Sequence, residues 1–438
     1  MSGLQRRLNR IDALAVSLGA VIGVGVFRNT GLVLRGAGGV TGATLLWIVI
    51  GVVCLAGAIL YADLSTRVPE AGGPYAYVRV AFGGPAAFVY GWMNAGVSMP
   101  VRQASISAVI GELLTPYLPG GPRLLAVTTL VLLTILNLLG VRAGAIAQRV
   151  FTTGKLGTIG LVIALSIVLG VTGTAPATAA VSPVSFAVAV GAVWYTYLGW
   201  QDVVLLAEEL HQPRRDLPVV LLGTVALTMA LYVGIHLAVY LGLGGGSEAY
   251  GDLPALATAQ RALGGFGAGL LTVLMLSSMI GGAAEGMLVR PRVAMALARD
   301  GLAPAPIAAI SRNGTPHVAL LFHAAISLAL VASGTFEQLL PLLVFAQGFL
   351  GVFETASYFV VRRRRPELPT SAFHPWAPLV FILTNAALCV LAGRDDPAAM
   401  ARALGLIAVV SLVYAVMRPR PKRSDPASGS PSRPDAET

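Results

Sequence analysis

Apolar positions along this 438-residue chain do not alternate with polar ones. They come in long continuous runs separated by short polar segments. A helix needs about 20 apolar residues, at ~1.5 Å rise each, to cross the ~30 Å hydrocarbon layer of a bilayer. Only helices or closed barrels can satisfy their backbone there, and continuous runs select helices. The pattern predicts twelve crossings, over 12–34, 40–65, 83–115, 123–140, 148–171, 184–209, 217–242, 268–299, 317–333, 337–361, 376–392 and 399–417. The first run follows Arg6, Arg7 and Arg10 but continues into the fold with no small-residue cleavage site, so no cleavable signal is expected. Segment 243–267, with Gly244, Gly245, Gly246, Ser247 and Asp252, reads as a long non-cytoplasmic connection with room for short amphipathic helices. The tail from Arg418 is rich in proline, serine and charge and is expected to be disordered.

Composition narrows the class. Hydrophobic residues make up 56% and charged residues 11%, with mean hydropathy +0.77. Soluble domains carry roughly 25% charged residues, so an ordinary soluble enzyme is excluded. The net charge of +10 is spread among short loops instead of gathered on one face, which argues against nucleic acid. It works instead as a topology signal. With the N-terminus inside, the inside segments hold 22 Lys and Arg residues and the outside segments 6. Basic residues prefer the cytoplasmic side, so both termini are expected in the cytoplasm of a multi-pass cell-membrane protein. Cys54 and Cys389 lie in apolar runs, so no disulfide framework is implied. No HExxH, paired CxxC, Walker loop or GxSxG elbow occurs, and the five histidines are scattered. Neither a metal, a cofactor nor an enzyme active site is expected, nor ATP-driven transport by this chain alone. The sequon Asn313-Gly314-Thr315 falls in a predicted cytoplasmic loop, so no glycan is expected.

The first run, IDALAVSLGAVIGVGVF, carries Gly19, Gly23 and Gly25 at its middle. Glycine costs about 1 kcal/mol against alanine inside a helix. Either these glycines let helices pack closely, or they break the helix at mid-bilayer. A break frees N–H groups on one half-helix and carbonyls on the other, which suits a zwitterion. The sixth run, GAVWYTYLGWQDVVLLAEELHQPRRDLP, has Gly199 within a cluster of Trp194, Tyr195, Tyr197 and Trp200. Inverted five-helix repeats put the first and sixth helices in corresponding positions, so paired interruptions favour the break. The aromatics read either as packing or as a lid over substrate.

GAVIGVGVF, PEAGGPYAYVRVAFG at 69–83, YTYLGWQDVVLLAEELHQPRRDLP at 195–218 and RPRVAMALARDGLAP at 290–304 resemble the signatures of amino acid permeases of the amino acid–polyamine–organocation superfamily. Four motifs in order span residues 11–304, and the helix spacing stays compatible to about 417. The resemblance implies an all-α integral membrane fold of the LeuT type, with twelve transmembrane helices. After a cytoplasmic tail at 1–11, the first five-helix repeat would cover 12–171 and its inverted copy 184–361. Two further helices would follow at 376–417, then a tail at 418–438. It implies that a substrate carboxylate meets the N–H groups around Gly23, Val24 and Gly25, beside Ile22. The α-amino group would meet carbonyls of Val21, Tyr195 and Leu198 next to Gly199, with Tyr195 as the aromatic gate. The 116–122 loop has no cysteine, so the disulfide that joins some relatives to a partner subunit is not expected.

Charge inside a membrane is costly and needs a role or a partner. Lys155, in VFTTGKLGTIGLV, matches a lysine that in related permeases sits beside the first break, stands in for a sodium ion, and in some members carries a proton. Its alternative is snorkelling to the cytoplasmic surface. Arg102 and Glu285, on the third and eighth helices, depart from the family pattern. They read as a buried structural pair, or one faces the cavity and selects side chains or relays protons. Glu354 and Asp202 are weaker candidates for a proton path, and Gln201 stands where some relatives are acidic. Glu208, Glu209, Arg214 and Arg215 are candidates for an inner gate with Arg67 or Arg292.

The functional expectation is a secondary transporter of neutral L-amino acids by alternating access, through proton-coupled symport or exchange. The alternatives are an antiporter of cationic amino acids or polyamines that uses Glu285 or Glu354, and a non-transporting amino acid sensor. The short Pro/Ser-rich tail offers little for a sensor's signalling domain. The expected partners are an amino acid, protons and the lipid bilayer.

Overall fold

The computed structural model describes residues 6, 8–23, 25–70, 72–139, 141–172, 184–242, 254–333, 336–366, 368, 371–395 and 397–417. The predicted C-terminal tail, residues 243–253 of the long connection and most of the N-terminal tail lie outside these residues. Within them the chain is helical, and Leu8 and Leu210 form an isolated parallel bridge.

The first apolar run folds as two helices, α1 (Arg10–Val21) and α2 (Gly25–Gly36). Asn9 starts α1 with a capping box, its side chain accepting from the Asp12 N–H while Asp12 accepts from its own. The second run is α3 (Val40–Arg67), and α4 (Pro74–Phe82) is a short helix that the hydrophobic pattern leaves in a loop. The third run is not uniform: α5 (Gly84–Met93) passes through a π-turn at Asn94–Ser98 into α6 (Met99–Leu114). Then come α7 (Gly121–Leu138) and α8 (Val141–Thr172). The sixth run splits into α9 (Phe186–Tyr197) and a 3₁₀ stretch, Trp200–Glu209. The remaining helices are α10 (Pro213–Gly242), α11 (Pro254–Val289), α12 (Pro291–Arg299), α13 (His317–Ser333), α14 (Phe336–Arg364), α15 (Trp376–Asp395) and α16 (Pro397–Met417). The stretch of the long connection that is described, from Pro254, is helical up to a bend at Gly264.

Among the described residues, six helical stretches are long and apolar enough to cross a membrane: α3, α7, α8, α10, α14 and the α11–α12 run; α13, α15 and α16 hold shorter ones. The difference from the twelve predicted runs has a physical origin. The halves of the first run have 12 residues each, as does α9, about 18 Å at 1.5 Å per residue. Neither half spans alone. Large apolar side chains stay exposed along α3 (Leu45, Val49, Val52), α7 (Leu132, Ile135), α15 (Leu383, Val390) and α16 (Val409, Leu412, Val416). Such a belt is stable against lipid tails and not against water.

Packing brings the broken elements together. α1 lies against the 3₁₀ stretch, α8 and α10, while α2 lies against α9. α3 packs on α10, α6 on α11, and α7 on α13.

Candidate functional site

Both breaks are sharp. After Val21 the chain leaves the helix through Ile22 (φ −72°, ψ 96°), and after Tyr197 through Leu198 (φ −63°, ψ 139°). Gly199 then turns the chain at φ 125°, in the left-handed region that an L side chain rarely adopts. Val21, Gly23, Gly25, Tyr195 and Leu198 line one cavity of about 40 Å³, with Ile106 and Met279 as further apolar lining. Arg102 is the charged residue in that wall. Of the other residues anticipated there, Ile22 supplies the exit from α1, Gly199 supplies the turn, and Val24 lies outside the described residues. The two breaks touch closely: a Cβ on Gly25 would come within 2.7 Å of the Thr196 hydroxyl.

The last carbonyls of α1 are each met by a side chain from a different helix. Lys155 on α8 donates to Gly19 at 2.5 Å, Arg102 on α6 to Ala20 at 3.3 Å, and Tyr232 on α10 to Val21 at 2.8 Å. These are the groups that a broken helix leaves without intrahelical partners. Lys155 is 1% exposed and does not snorkel. The Asn29 amide of α2 donates to the Ala192 carbonyl (3.1 Å) and the Thr196 hydroxyl (2.9 Å), tying the other half of the first run to α9.

The Arg102–Glu285 pair expected from the sequence does not form directly. Arg102 Nη1 meets Asp202 Oδ2 at 2.9 Å, and its Nη2 donates to the Leu198 carbonyl at 3.0 Å. Glu285 faces Arg290 at 3.7 Å instead. Arg290 also reaches Asp202 at 3.5 Å and Gln103 at 2.9 Å. The physical reason is position. Asp202 follows the Gly199 turn and comes to Arg102 from the 3₁₀ stretch, while Arg290 lies a little over one helical turn beyond Glu285. Two arginines and two carboxylates thus form one buried network. Breaking one buried pair strands its partner charge. Glu285→Gln and Arg290→Gln should therefore be strongly non-additive in melting temperature in detergent. The double variant should lose less than the two singles together, by an amount corresponding to about 1–3 kcal/mol. Strict additivity would dissolve the pair.

The aromatics divide between two roles. Tyr195 lines the glycine cavity. Tyr197 donates to the Trp47 carbonyl at 3.0 Å, and Trp200 stacks edge-on against Tyr61 at 5.1 Å. Trp194, Tyr197 and Trp200 belong to a separate cavity beside α14 and α15. Glu354 is capped there by the hydroxyls of Tyr61 and Tyr90.

At the end where α1 begins, Arg292 meets Glu209 at 2.5 Å, Arg299 meets Glu208 at 2.9 Å and Arg10 meets Asp216 at 2.9 Å. Leu8 pairs with the backbone around Leu210, its N–H on the Glu209 carbonyl and its carbonyl on the His211 N–H. Arg67 instead pairs with Asp63 at 2.6 Å and donates to the Leu368 carbonyl. Arg79 holds Asp300 at 2.9 Å. Burial, with the Asp300 carboxylate beside it, raises the Tyr75 hydroxyl above its ordinary range, so it stays a neutral donor to Asp300 at 2.6 Å.

Reasoning from the sequence missed Arg290, Tyr232 and Asn29. Arg290 reads as a loop charge, and only Pro291 after it hints at a helix junction. Tyr232 is one of two tyrosines in an apolar run, which by itself is a weak signal.

A helical chain with large apolar outer faces, and two opposed backbone breaks meeting over one buried cavity, has the architecture of an integral membrane permease. Residues 8–417 match the family described as amino acid permease, and the chain belongs to that family, within the amino acid–polyamine–organocation superfamily. It is 28% identical over 431 residues to the human large neutral amino acids transporter small subunit 2, covering 94% of this chain and 80% of the relative. The serine/threonine exchanger SteT of Bacillus subtilis (strain 168) is 25% identical over 393 residues, covering 88% and 90%. The mouse Asc-type amino acid transporter 1 is 27% identical over 428 residues, covering 93% and 80%.

Proposed function

We propose that this permease is a secondary active transporter of neutral L-amino acids. It works by alternating access, as a proton-coupled symporter or an amino acid exchanger, and is not an enzyme. The observation that carries this reading is the glycine cavity at the two breaks. Peptide groups from opposed half-helices converge there, so a carboxylate meets the start of α2 around Gly23 and Gly25. An ammonium meets the ends of α1 and α9. The relatives' names, which specify large neutral amino acids and serine/threonine, point to the same cargo class.

Twelve crossings in a LeuT-type arrangement fit the packing. The first run lies against the sixth, the second against the seventh, the third against the eighth and the fourth against the ninth, which supports two related halves. The positive-inside count supports cytoplasmic termini, with the Arg292–Glu209 side facing the cytoplasm. With Cys54 in α3 and Cys389 in α15 as its two cysteines, the chain works without a disulfide-linked subunit. Against cationic cargo stands the wall of the cavity: Arg102 lines it, and the described lining contains no carboxylate.

Purified protein in proteoliposomes should take up labelled neutral amino acids well above empty vesicles, and faster with a pH gradient or with amino acid inside. Lysine, arginine and putrescine should neither enter nor compete. Saturable uptake of the cations alone would replace this reading with the antiporter.

A further inference from the structure

The cavity at the breaks already contains a cation supplied by the protein. Arg102 reaches in from α6 and places one nitrogen, Nη2, 3.0 Å from the Leu198 carbonyl and 3.3 Å from that of Ala20. These carbonyls end α9 and α1, where the helix dipoles concentrate negative charge. They belong to the same ring of peptide oxygens that an α-amino group would use, and Tyr232 already engages a third member, Val21. The local sequence is built to admit the guanidinium. A Cβ on Gly199 would lie 2.5 Å from Nη2. We propose that Arg102 competes with the cargo's α-amino group for the carbonyls at the two breaks, so that binding requires the guanidinium to withdraw toward Asp202.

This inference rests on the transport reading and names how that site is regulated. Two cations cannot share these acceptors without strong repulsion in a low-dielectric interior. Space points the same way. The cavity of about 40 Å³ has room for a few waters, one water needing about 10–15 Å³, which is short of even a small amino acid. A path for withdrawal exists. Arg102 also lines another cavity, together with Asp202, Glu354, Gln201 and Gln347. Its Nη1 already bonds Asp202, so the guanidinium can turn about that anchor without losing its counter-ion. Arg102 also ties α6 to α1 and to the α9 exit. Its displacement therefore couples occupancy of the site to release of both breaks from α6.

The test is equilibrium binding to the purified full-length protein. The probe is labelled leucine, or the neutral amino acid that binds tightest in the uptake panel. A seat that is free only part of the time weakens apparent affinity by that fraction, so Arg102→Gln should tighten binding about fivefold or more. Asp202→Asn removes the anchor and should weaken binding. The double variant should bind as tightly as Arg102→Gln, because the anchor matters only while the arginine is present. It also restores charge balance, and Arg290 remains to pair with Glu285. Weaker or unchanged binding by a monodisperse Arg102→Gln or double variant would overturn the proposal. Wild-type protein that binds no amino acid in the panel sinks the transport reading beneath it, whereas binding with the wrong sign of effect sinks this inference alone.

Discussion

Uptake by the Gly199→Ala variant should fall to background. The residue sits at φ 125°, a backbone region that costs a non-glycine residue about 1–3 kcal/mol. Strain is the smaller part of the effect. The added Cβ would lie 2.5 Å from Arg102 Nη2, 2.6 Å from the Ala20 oxygen and 2.8 Å from the Ala20 carbonyl carbon. An arginine tip can move aside, but the main chain at the end of α1 cannot, because Lys155 and Tyr232 hold the carbonyls on either side. The two breaks must then separate, and the ring of peptide groups that defines the site opens. Gly191→Ala is the control. It lies in the preceding helix, α9, and nothing approaches its Cβ position within 4 Å, so it should transport like the wild type. Wild-type flux through Gly199→Ala would remove the close approach of the breaks from the mechanism.

The same glycines explain which parts of this architecture can be read from the sequence. Gly23, Gly25 and Gly199 mark the interruptions because an α-helix has little reason to carry them in an apolar run unless the chain turns or packs closely there. The positions of the long helices follow from the length of apolar runs, since lipid offers the backbone no partner other than itself. The π-turn at Asn94–Ser98 and the short helix α4 escape this logic. Neither changes the hydrophobic pattern, and both depend on packing among distant elements. The ionic partners are the clearest case. Arg102 and Glu285 announce themselves as charges in apolar runs, but which carboxylate each arginine meets depends on the turn at Gly199 and on the junction between α11 and α12. Asp202 comes to Arg102 from 100 residues away, through that turn. Sequence spacing carries no trace of this. Lys155 was placed at the break by its match to related permeases. Its apolar surroundings alone left snorkelling open, and only the geometry buries the ammonium against Gly19.

Lys155→Ala should cost at least tenfold in amino acid uptake, through loss of a donor and a charge at the end of α1 and not through collapse of the fold. The ammonium lies between two helices: it donates to the Gly19 carbonyl of α1, and it sits 3.6 Å from the place a Cβ on Gly282 of α11 would occupy. Glu285 follows Gly282 by three residues on that helix, and neither of its buried oxygens has a hydrogen-bond partner. Removing the lysine leaves a buried carbonyl at the negative end of α1 without its donor. A stranded buried acceptor costs about 1–3 kcal/mol, and 1.4 kcal/mol is a factor of ten in any equilibrium that forms the closed break. Lys155→Gln separates the two contributions, because its amide can still donate to Gly19 but carries no charge. If the lysine only fills a hydrogen bond, the glutamine variant should recover most of the flux and its dependence on a pH gradient. If its charge balances Glu285 and the end of α1, the glutamine variant should bind amino acid but lose the gradient-driven part of uptake. Full recovery of pH-dependent flux by Lys155→Gln would take the charge out of the coupling and leave the lysine as a structural tie between α8 and the first break.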